Sequence, residues 1–213
     1  MTFIPRLLVA SGVLVLALSA QDQPPPKVEP SPDAPVGKVL EWTSAEGKPY
    51  WYRLPKKIDR ARPPNLLLML HGTGLKWGWA FWNYPIATGE FRGNDVVVAP
   101  EGMTPGGEGI FNFTQAKPDR EHIAALITYL KKKLPIGKVY VYGHSQGAFF
   151  AYWFAGERPD LVDGIVAHAG NVPSISHEPG RNVFTKGQFG LTFNRNVVVV
   201  VDPAKVAELE VAS

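Results

Sequence analysis

Apolar residues in this chain gather in five short runs, each of strand length, at residues 66–70, 96–99, 139–142, 164–167 and 197–201. None of the runs alternates cleanly between apolar and polar positions, as a strand with one face in water would. Continuous apolar runs are typical of strands that are buried on both faces, as in a parallel sheet covered by helices. The pattern therefore predicts a largely buried sheet.

Two segments between the runs have the properties of helices. Residues 119–133 carry apolar side chains at intervals of three or four, which place them on one helix face: Ile123, Leu126, Ile127 and Leu130. Asp119 is a candidate N-cap, and the lysines at 131–133 suit the negative end of the helix dipole. Residues 146–157, rich in alanine and aromatic side chains, predict a second helix.

A hairpin is predicted ahead of the sheet, because residues 39–43 and 50–54 have strand composition and residues 46–48 supply a turn. Strands that alternate with helices after it indicate a doubly wound α/β architecture with a mostly parallel sheet. We therefore expect one α/β domain over residues 38–213.

The chain start predicts an export signal. Arg6 provides a positive charge, residues 7–18 are apolar, and Ala20 offers a small residue for cleavage. The apolar stretch is about 12 residues long, short for a helix that stays in a bilayer. An uncleaved membrane anchor is the alternative, because Leu18 is not the small residue expected before the cut.

Residues 21–37 carry six prolines, which favour an extended polyproline II conformation. We interpret this segment as a linker between a signal peptide, residues 1–20, and the folded domain. The mature protein is then expected to be secreted or periplasmic, with no stable membrane insertion once the signal is removed.

Composition excludes several functions. A net charge of +3 is too small for a nucleic-acid binder driven by charge, and the chain has no cysteine for disulfides, thiolate chemistry or zinc ligation. Hydrophobic residues make up 45% of the chain, enough for a full core. No group of carboxylates and histidines has metal-ligand spacing, so neither a metal nor another cofactor is expected.

The most informative motif is Gly-x-Ser-x-Gly at residues 143–147, between a buried run and a predicted helix. In this setting Ser145 sits on a sharp turn, and its hydroxyl projects from the sheet edge as a nucleophile. Gly143 and Gly147 flank it because larger residues would collide with the neighbouring strand and helix. The backbone N–H of Gln146 is the first candidate donor to an oxyanion.

A second motif, His71-Gly72-Thr73-Gly74, directly follows the first apolar run. Such a loop doubles back over the nucleophile, and the N–H of Thr73 or Gly74 would be the second oxyanion donor. We expect His71 to hold the loop in shape rather than to act as a base.

Together these motifs resemble the secreted esterases of the α/β-hydrolase superfamily, nearest the feruloyl esterase and polyhydroxybutyrate depolymerase-like group. The likeness covers about residues 65–170 and includes Ala99-Pro100-Glu101-Gly102 after the second run. It implies hydrolysis of carboxylic esters, small or polymer-linked, through an acyl-enzyme on Ser145. A histidine would take the proton of Ser145, and an acid would orient that histidine.

The triad partners depart from the family pattern, in which the acid and then the histidine follow the serine along the chain. Asp202, after the fifth run, is the candidate acid; the alternative is an N-cap for a helix that starts at Pro203. No histidine follows Asp202, and the last one in the chain is His177. His177 is therefore the candidate base, with a solvated loop histidine as the alternative, and we expect His168 to be packed.

Three explanations fit the missing histidine: a chain that lacks the C-terminal part of the fold, a relative that has lost catalysis, or His177 acting from an unusual position. The first is favoured because the missing piece is contiguous. The alternative function is accordingly a catalytically impaired hydrolase-like binding protein. On the substrate side, Trp77 and the aromatic residues after it either line a pocket or form a small satellite core.

Overall fold

The computed structural model describes residues 24–169 and 199–201. Within them the strands are β1 (Val39–Thr43), β2 (Pro49–Arg53), β3 (Leu66–Leu70), β4 (Val96–Pro100), β5 (Thr104–Gly107), β6 (Ile110–Asn112), β7 (Val139–His144), β8 (Gly164–His168) and β9 (Val199–Val201). The helices are α1 (Trp79–Asn83), α2 (Lys117–Lys133) and α3 (Gln146–Glu157).

Seven of these strands form one sheet in the order β1-β2-β4-β3-β7-β8-β9. The central strands β4, β3, β7 and β8 are parallel, and β1 and β2 form the predicted antiparallel hairpin. The expectation of a mostly parallel α/β sheet is therefore confirmed.

The last apolar run differs from the expectation of a further parallel strand. Its last three residues, Val199–Val201, form β9, which pairs antiparallel with β8, so that Val201 lies opposite Ile165. An apolar run indicates burial but not strand direction, because direction depends on the path of the preceding connection.

Both faces of the sheet are covered, which explains why the apolar runs do not alternate. Along β3, Leu66, Leu68 and Leu70 belong to one core cluster, together with the predicted stripe of α2 and much of α3. Leu67 and Met69 belong to the other cluster, which includes Trp79 and Phe81 of α1. Successive side chains of a strand point to opposite faces, so each run feeds two cores at once.

The Pro-rich segment lies against the domain in residues 24–37, although it was expected to be a separate linker. The N–H of Val28 donates to the carbonyl of Glu41 at 2.9 Å, and the N–H of Glu41 donates to the carbonyl of Pro26 at 3.0 Å. Further along, Glu29 lies 2.7 Å from the ammonium of Lys133. These contacts cover the free edge of β1, so the folded unit includes residues before Lys38.

Helix α2 begins at Lys117, two residues before the predicted start, and its N-cap is Ala116. Asp119 is therefore in the first turn and is not the N-cap. The three lysines at 131–133 lie in the last turn, as predicted. Within the described residues, no helix is long and apolar enough to cross a membrane.

Candidate active site

Ser145 occupies a strained turn between β7 and α3. Its φ of 51° and ψ of −114° lie outside the regions that suit a residue with a side chain. Such a conformation costs about 1–3 kcal/mol and persists only where the surroundings enforce it. One contact that holds the turn in this conformation is the hydrogen bond from the N–H of Ser145 to the carbonyl of His168, at 2.8 Å.

The two flanking glycines are required by close approach of the backbone. A Cβ atom at Gly143 would lie 2.1 Å from the carbonyl oxygen of Gly147, and one at Gly147 would lie 2.6 Å from the carbonyl oxygens of Leu70 and His71. These contacts are far below van der Waals separation. The spacing of the motif thus follows from the packing of β7, α3 and the end of β3.

The loop 71–74 lies directly beside the serine. A Cβ atom at Gly72 would be 3.0 Å from Cβ of Ser145. The hydroxyl of Thr73 donates a hydrogen bond to Oε1 of Gln146 at 3.1 Å. The structure therefore brings together four residues from two distant parts of the sequence that were predicted to form one site.

The backbone donors of this site differ in availability. Gly74 donates its N–H to Oδ1 of Asn112 at 3.3 Å, so this group is already engaged. Within the part of the chain that the structure describes, the N–H groups of Thr73 and Gln146 have no hydrogen-bond acceptor. Gln146 is the first residue of α3, where N–H groups are free and the helix dipole favours negative charge.

His71 lies at the start of the loop and is buried with both ring nitrogens engaged. Its Nδ1 donates to the carbonyl of Gly72 at 2.9 Å, and its Nε2 lies 3.1 Å from Oε1 of Glu101. The Phe113 ring packs at 4.8 Å between centroids. A histidine held in this way fixes the loop and has no free nitrogen for proton transfer to Ser145.

His144 and His168 belong to a separate cluster that packs toward α1. The His144 ring stacks on Trp79 at 4.9 Å, and its Nδ1 lies 3.3 Å from Nδ1 of His168. His168 also bonds the Tyr142 hydroxyl at 2.6 Å, and that hydroxyl bonds Tyr84. Burial, and then the charge of His168, lower the pKa of His144. Neither ring is hydrogen-bonded to the Ser145 hydroxyl, for which the described residues provide no partner.

The predicted acid and base, Asp202 and His177, lie outside the described residues. They remain predictions.

The aromatic residues near the loop divide between core and surface. Trp79 and Phe81 are buried in the core beneath α1, whereas Trp82 is 65% exposed. Trp77, the predicted substrate contact, is half-buried, and its indole N–H is enclosed without a hydrogen-bond partner among the described residues. The satellite-core interpretation therefore holds for Trp79 and Phe81.

One cavity, of about 240 Å³, lies away from this site. It opens between the β1–β2 turn and α2, and its walls include Trp42, Glu46 and Tyr129. None of its lining residues belongs to the elbow or to the loop 71–74. In the described parts of the chain, no group of three histidine or carboxylate side chains could hold a metal ion.

Sequence reasoning missed Asn112, and it assigned Asp119 only a capping role. The carboxylate of Asp119 is fully buried and accepts hydrogen bonds from Met103, Thr104 and Thr114. These contacts depend on a glycine-rich hairpin whose path has no signal in hydrophobic spacing. The one available signal was a carboxylate in the first turn, which is compatible with many roles.

A family model described as alpha/beta hydrolase fold matches residues 109–198, which is less than half of the chain. An acetyl xylan esterase from Aspergillus awamori superposes with a TM-score of 0.51 and 17% identity, covering 68% of this chain and 56% of the esterase. The Staphylococcus aureus fluorophosphonate-binding serine hydrolase FphF gives a TM-score of 0.51 and 16% identity, covering 82% of this chain and 72% of that hydrolase.

An S-formylglutathione hydrolase from Staphylococcus aureus gives a TM-score of 0.50 and 17% identity, over 82% of this chain and 73% of that enzyme. No curated protein matches the chain. The chain has the α/β-hydrolase fold, as its sequence pattern predicts.

Proposed function

We propose that this protein is a serine hydrolase that cleaves carboxylic esters through an acyl-enzyme on Ser145. The observation that carries the proposal is the strained serine, with φ of 51°, at the amino end of α3 and beside the loop 71–74. Backbone strain clusters at functional positions, where the surrounding structure enforces it.

The oxyanion would bind between the N–H groups of Thr73 and Gln146, which belong to different segments and have no other acceptor among the described residues. Donors fixed in this way stabilise the negative charge of the tetrahedral intermediate without reorganising. The Ser145 oxygen would bond the acyl carbon and lose its proton to a histidine. That histidine would return the proton to the departing alcohol. Water would then attack the acyl carbon and lose a proton to the same histidine, which would pass it to the Ser145 oxygen as the carboxylic acid leaves.

The base and acid of this reaction are proposed to be His177 and Asp202. Support for His177 comes by elimination, because the other four histidines, His71, His122, His144 and His168, all hold other partners. Removal of His177 by substitution with alanine is expected to lower kcat by at least about a thousandfold, as loss of a triad base does elsewhere. An unchanged kcat would exclude it.

The experiment that tests the function is labelling of the full chain with a fluorophosphonate, together with release of p-nitrophenol from short-chain esters. Two fold neighbours are named for acetyl xylan and S-formylglutathione, so acetyl esters and formyl thioesters are the first substrates to compare. Both signals should disappear in Ser145→Ala. A folded wild-type chain that shows neither would exclude catalysis.

The second candidate is a hydrolase-like binding protein without turnover. The observation that favours it is the Ser145 hydroxyl, which has no base among the described residues. This candidate predicts that a non-hydrolysable ester analogue binds the wild-type chain and Ser145→Ala with equal affinity, and that neither is labelled.

We further propose that residues 1–20 direct export and are removed. Expression of the full chain in a bacterial host, followed by fractionation and N-terminal sequencing, should give a mature chain that begins at Gln21 in the periplasm or medium. An intact chain in the membrane fraction would indicate the uncleaved anchor instead.

A further inference from the structure

One continuous segment, Glu101 to Phe113, holds both ends of the loop that faces Ser145. At the start of the loop, His71 bonds Glu101 at 3.1 Å and packs on Phe113. At its end, Gly74 donates its N–H to Oδ1 of Asn112 at 3.3 Å. Thr73 lies between these two attachments.

Asn112 is itself tightly enclosed. It is 8% exposed, and a Cβ atom at Gly106 would lie 2.0 Å from Asn112 Nδ2, while one at Gly102 would lie 2.2 Å from the Asn112 carbonyl oxygen. The amide of Asn112 therefore has little freedom to rotate, and its Oδ1 is presented to Gly74 from a fixed position.

The segment is anchored in turn on helix α2. The buried carboxylate of Asp119 accepts bonds from the N–H of Met103 at 2.7 Å and from the hydroxyls of Thr104 and Thr114 at 2.5 and 2.8 Å. Met103 and Thr104 precede Asn112 in the segment, and Thr114 follows its end, so both sides of the β5–β6 hairpin are tied to one side chain.

We infer that Asn112 is a positioning residue for the oxyanion site, a role that rests on the proposed function of Ser145. By engaging the N–H of Gly74, it fixes the loop so that the N–H of Thr73, rather than that of Gly74, faces the reacting carbonyl. An oxyanion donor is effective only when its position is held before the charge develops.

The test compares Asn112→Ala with Asn83→Ala in the full chain. Asn83 is a matched control because its side-chain amide also bonds a backbone group, Trp79 carbonyl at 2.8 Å, but in α1. Asn112→Ala should slow fluorophosphonate labelling and lower kcat by about 10- to 100-fold, with KM little changed, as expected for a misplaced catalytic group. Asn83→Ala should leave both rates within about threefold of wild type.

Gly106→Ala is the second variant, because its Cβ would displace the Asn112 amide without altering Asn112 or the elbow. It should slow labelling in the same direction, and this keeps the inference testable if Asn112→Ala does not fold. Equal labelling rates in wild type, Asn112→Ala and Gly106→Ala would overturn the inference.

Amide hydrogen exchange measured by NMR separates this inference from the proposed function. In folded Asn112→Ala the Gly74 amide should exchange at least about tenfold faster than in wild type, whether or not the chain has esterase activity. If wild type is not labelled at all, the proposed function fails, and the exchange rate of Gly74 alone decides whether Asn112 holds the loop. An unchanged exchange rate of the Gly74 amide would show that Asn112 does not hold the loop.

Discussion

The hydroxyl of Thr73 donates a hydrogen bond to the side-chain oxygen of Gln146 at 3.1 Å, and this bond joins the two segments that carry the proposed oxyanion donors. It spans 73 positions in the sequence and is exposed to solvent. A neutral hydrogen bond of this kind contributes about 0.5–1.5 kcal/mol, enough to bias the distance between the two donors without fixing it.

Thr73→Val removes this bond and keeps both the shape of the side chain and the backbone N–H. We expect kcat/KM for a p-nitrophenyl ester to fall between about twofold and tenfold, since that is the range the bond energy allows. Gln146→Ala should give a similar loss. Because both changes delete the same bond, the double variant should lose little more than either single one, and fully additive losses would contradict the coupling.

Gly72→Ala tests the close approach of the loop to the nucleophile. The added Cβ would lie 3.0 Å from Cβ of Ser145 and 3.2 Å from Cδ2 of His144, so either the loop or the elbow must shift. Since a displacement of about 1 Å can cost a hundredfold in rate, we expect fluorophosphonate labelling to slow by at least about tenfold. Gly137→Ala is the control, because its Cβ meets the Pro63 carbonyl oxygen at 3.2 Å just before β7, whereas the elbow follows the other end of that strand. If Gly72→Ala and Gly137→Ala are labelled at equal rates, the close approach of the loop to Ser145 does not control the reactivity of the serine.

The strands and the elbow were predictable because their signals are local. The run 66–70 forms β3 over the predicted residues, and the residues 146–157 form α3 as expected. Gly143 and Gly147 mark the elbow in the sequence because a side chain at either position would collide with the neighbouring backbone. Burial on both sheet faces requires apolar residues, and backbone packed against backbone requires glycine, so both features can be read from the residue types themselves.

The supports of the site were not predictable, because they depend on contacts between distant segments. Asn112 meets Gly74 across 38 positions, and Glu101 meets His71 across 30. A glycine-rich hairpin brings them there, and glycines indicate where a chain can turn but not where it goes. The direction of β9 and the docking of residues 24–37 were missed for the same reason, since apolar runs and prolines do not specify a partner strand.

Glu101 is predicted to stabilise the fold as well as the loop. Its replacement by alanine leaves Nε2 of His71 buried without a partner, and an unmade buried hydrogen bond costs about 1–3 kcal/mol. Glu101→Ala should lower the free energy of unfolding by that amount in urea titrations, and Glu101→Gln, which keeps the shape and an oxygen, by less. Glu108→Ala, at an exposed position in the hairpin turn, should remain within about 0.5 kcal/mol of wild type. If Glu101→Ala also remains within about 0.5 kcal/mol of wild type, the buried pair of His71 and Glu101 does not stabilise the fold.

Stability is predicted to fall as the pH drops below about 6.5, in part because of His144. Burial, followed by the charge of the neighbouring His168, lowers the pKa of His144 from its ordinary value of 6.5. The unfolded chain therefore takes up a proton near pH 6.5, while the folded chain takes it up only at lower pH, and stability decreases with falling pH wherever the unfolded state binds more protons.

The groups that face His144 are Trp79, which stacks on its ring, and His168, which is itself bonded to Tyr142. His144→Phe keeps an aromatic ring against Trp79 and removes the titrating group. Urea titrations between pH 7.5 and 5 should therefore show a shallower decline of the unfolding free energy in His144→Phe than in wild type. Equal slopes would mean that His144 takes up its proton at the same pH in both states, and that the buried stack does not disfavour the charged ring.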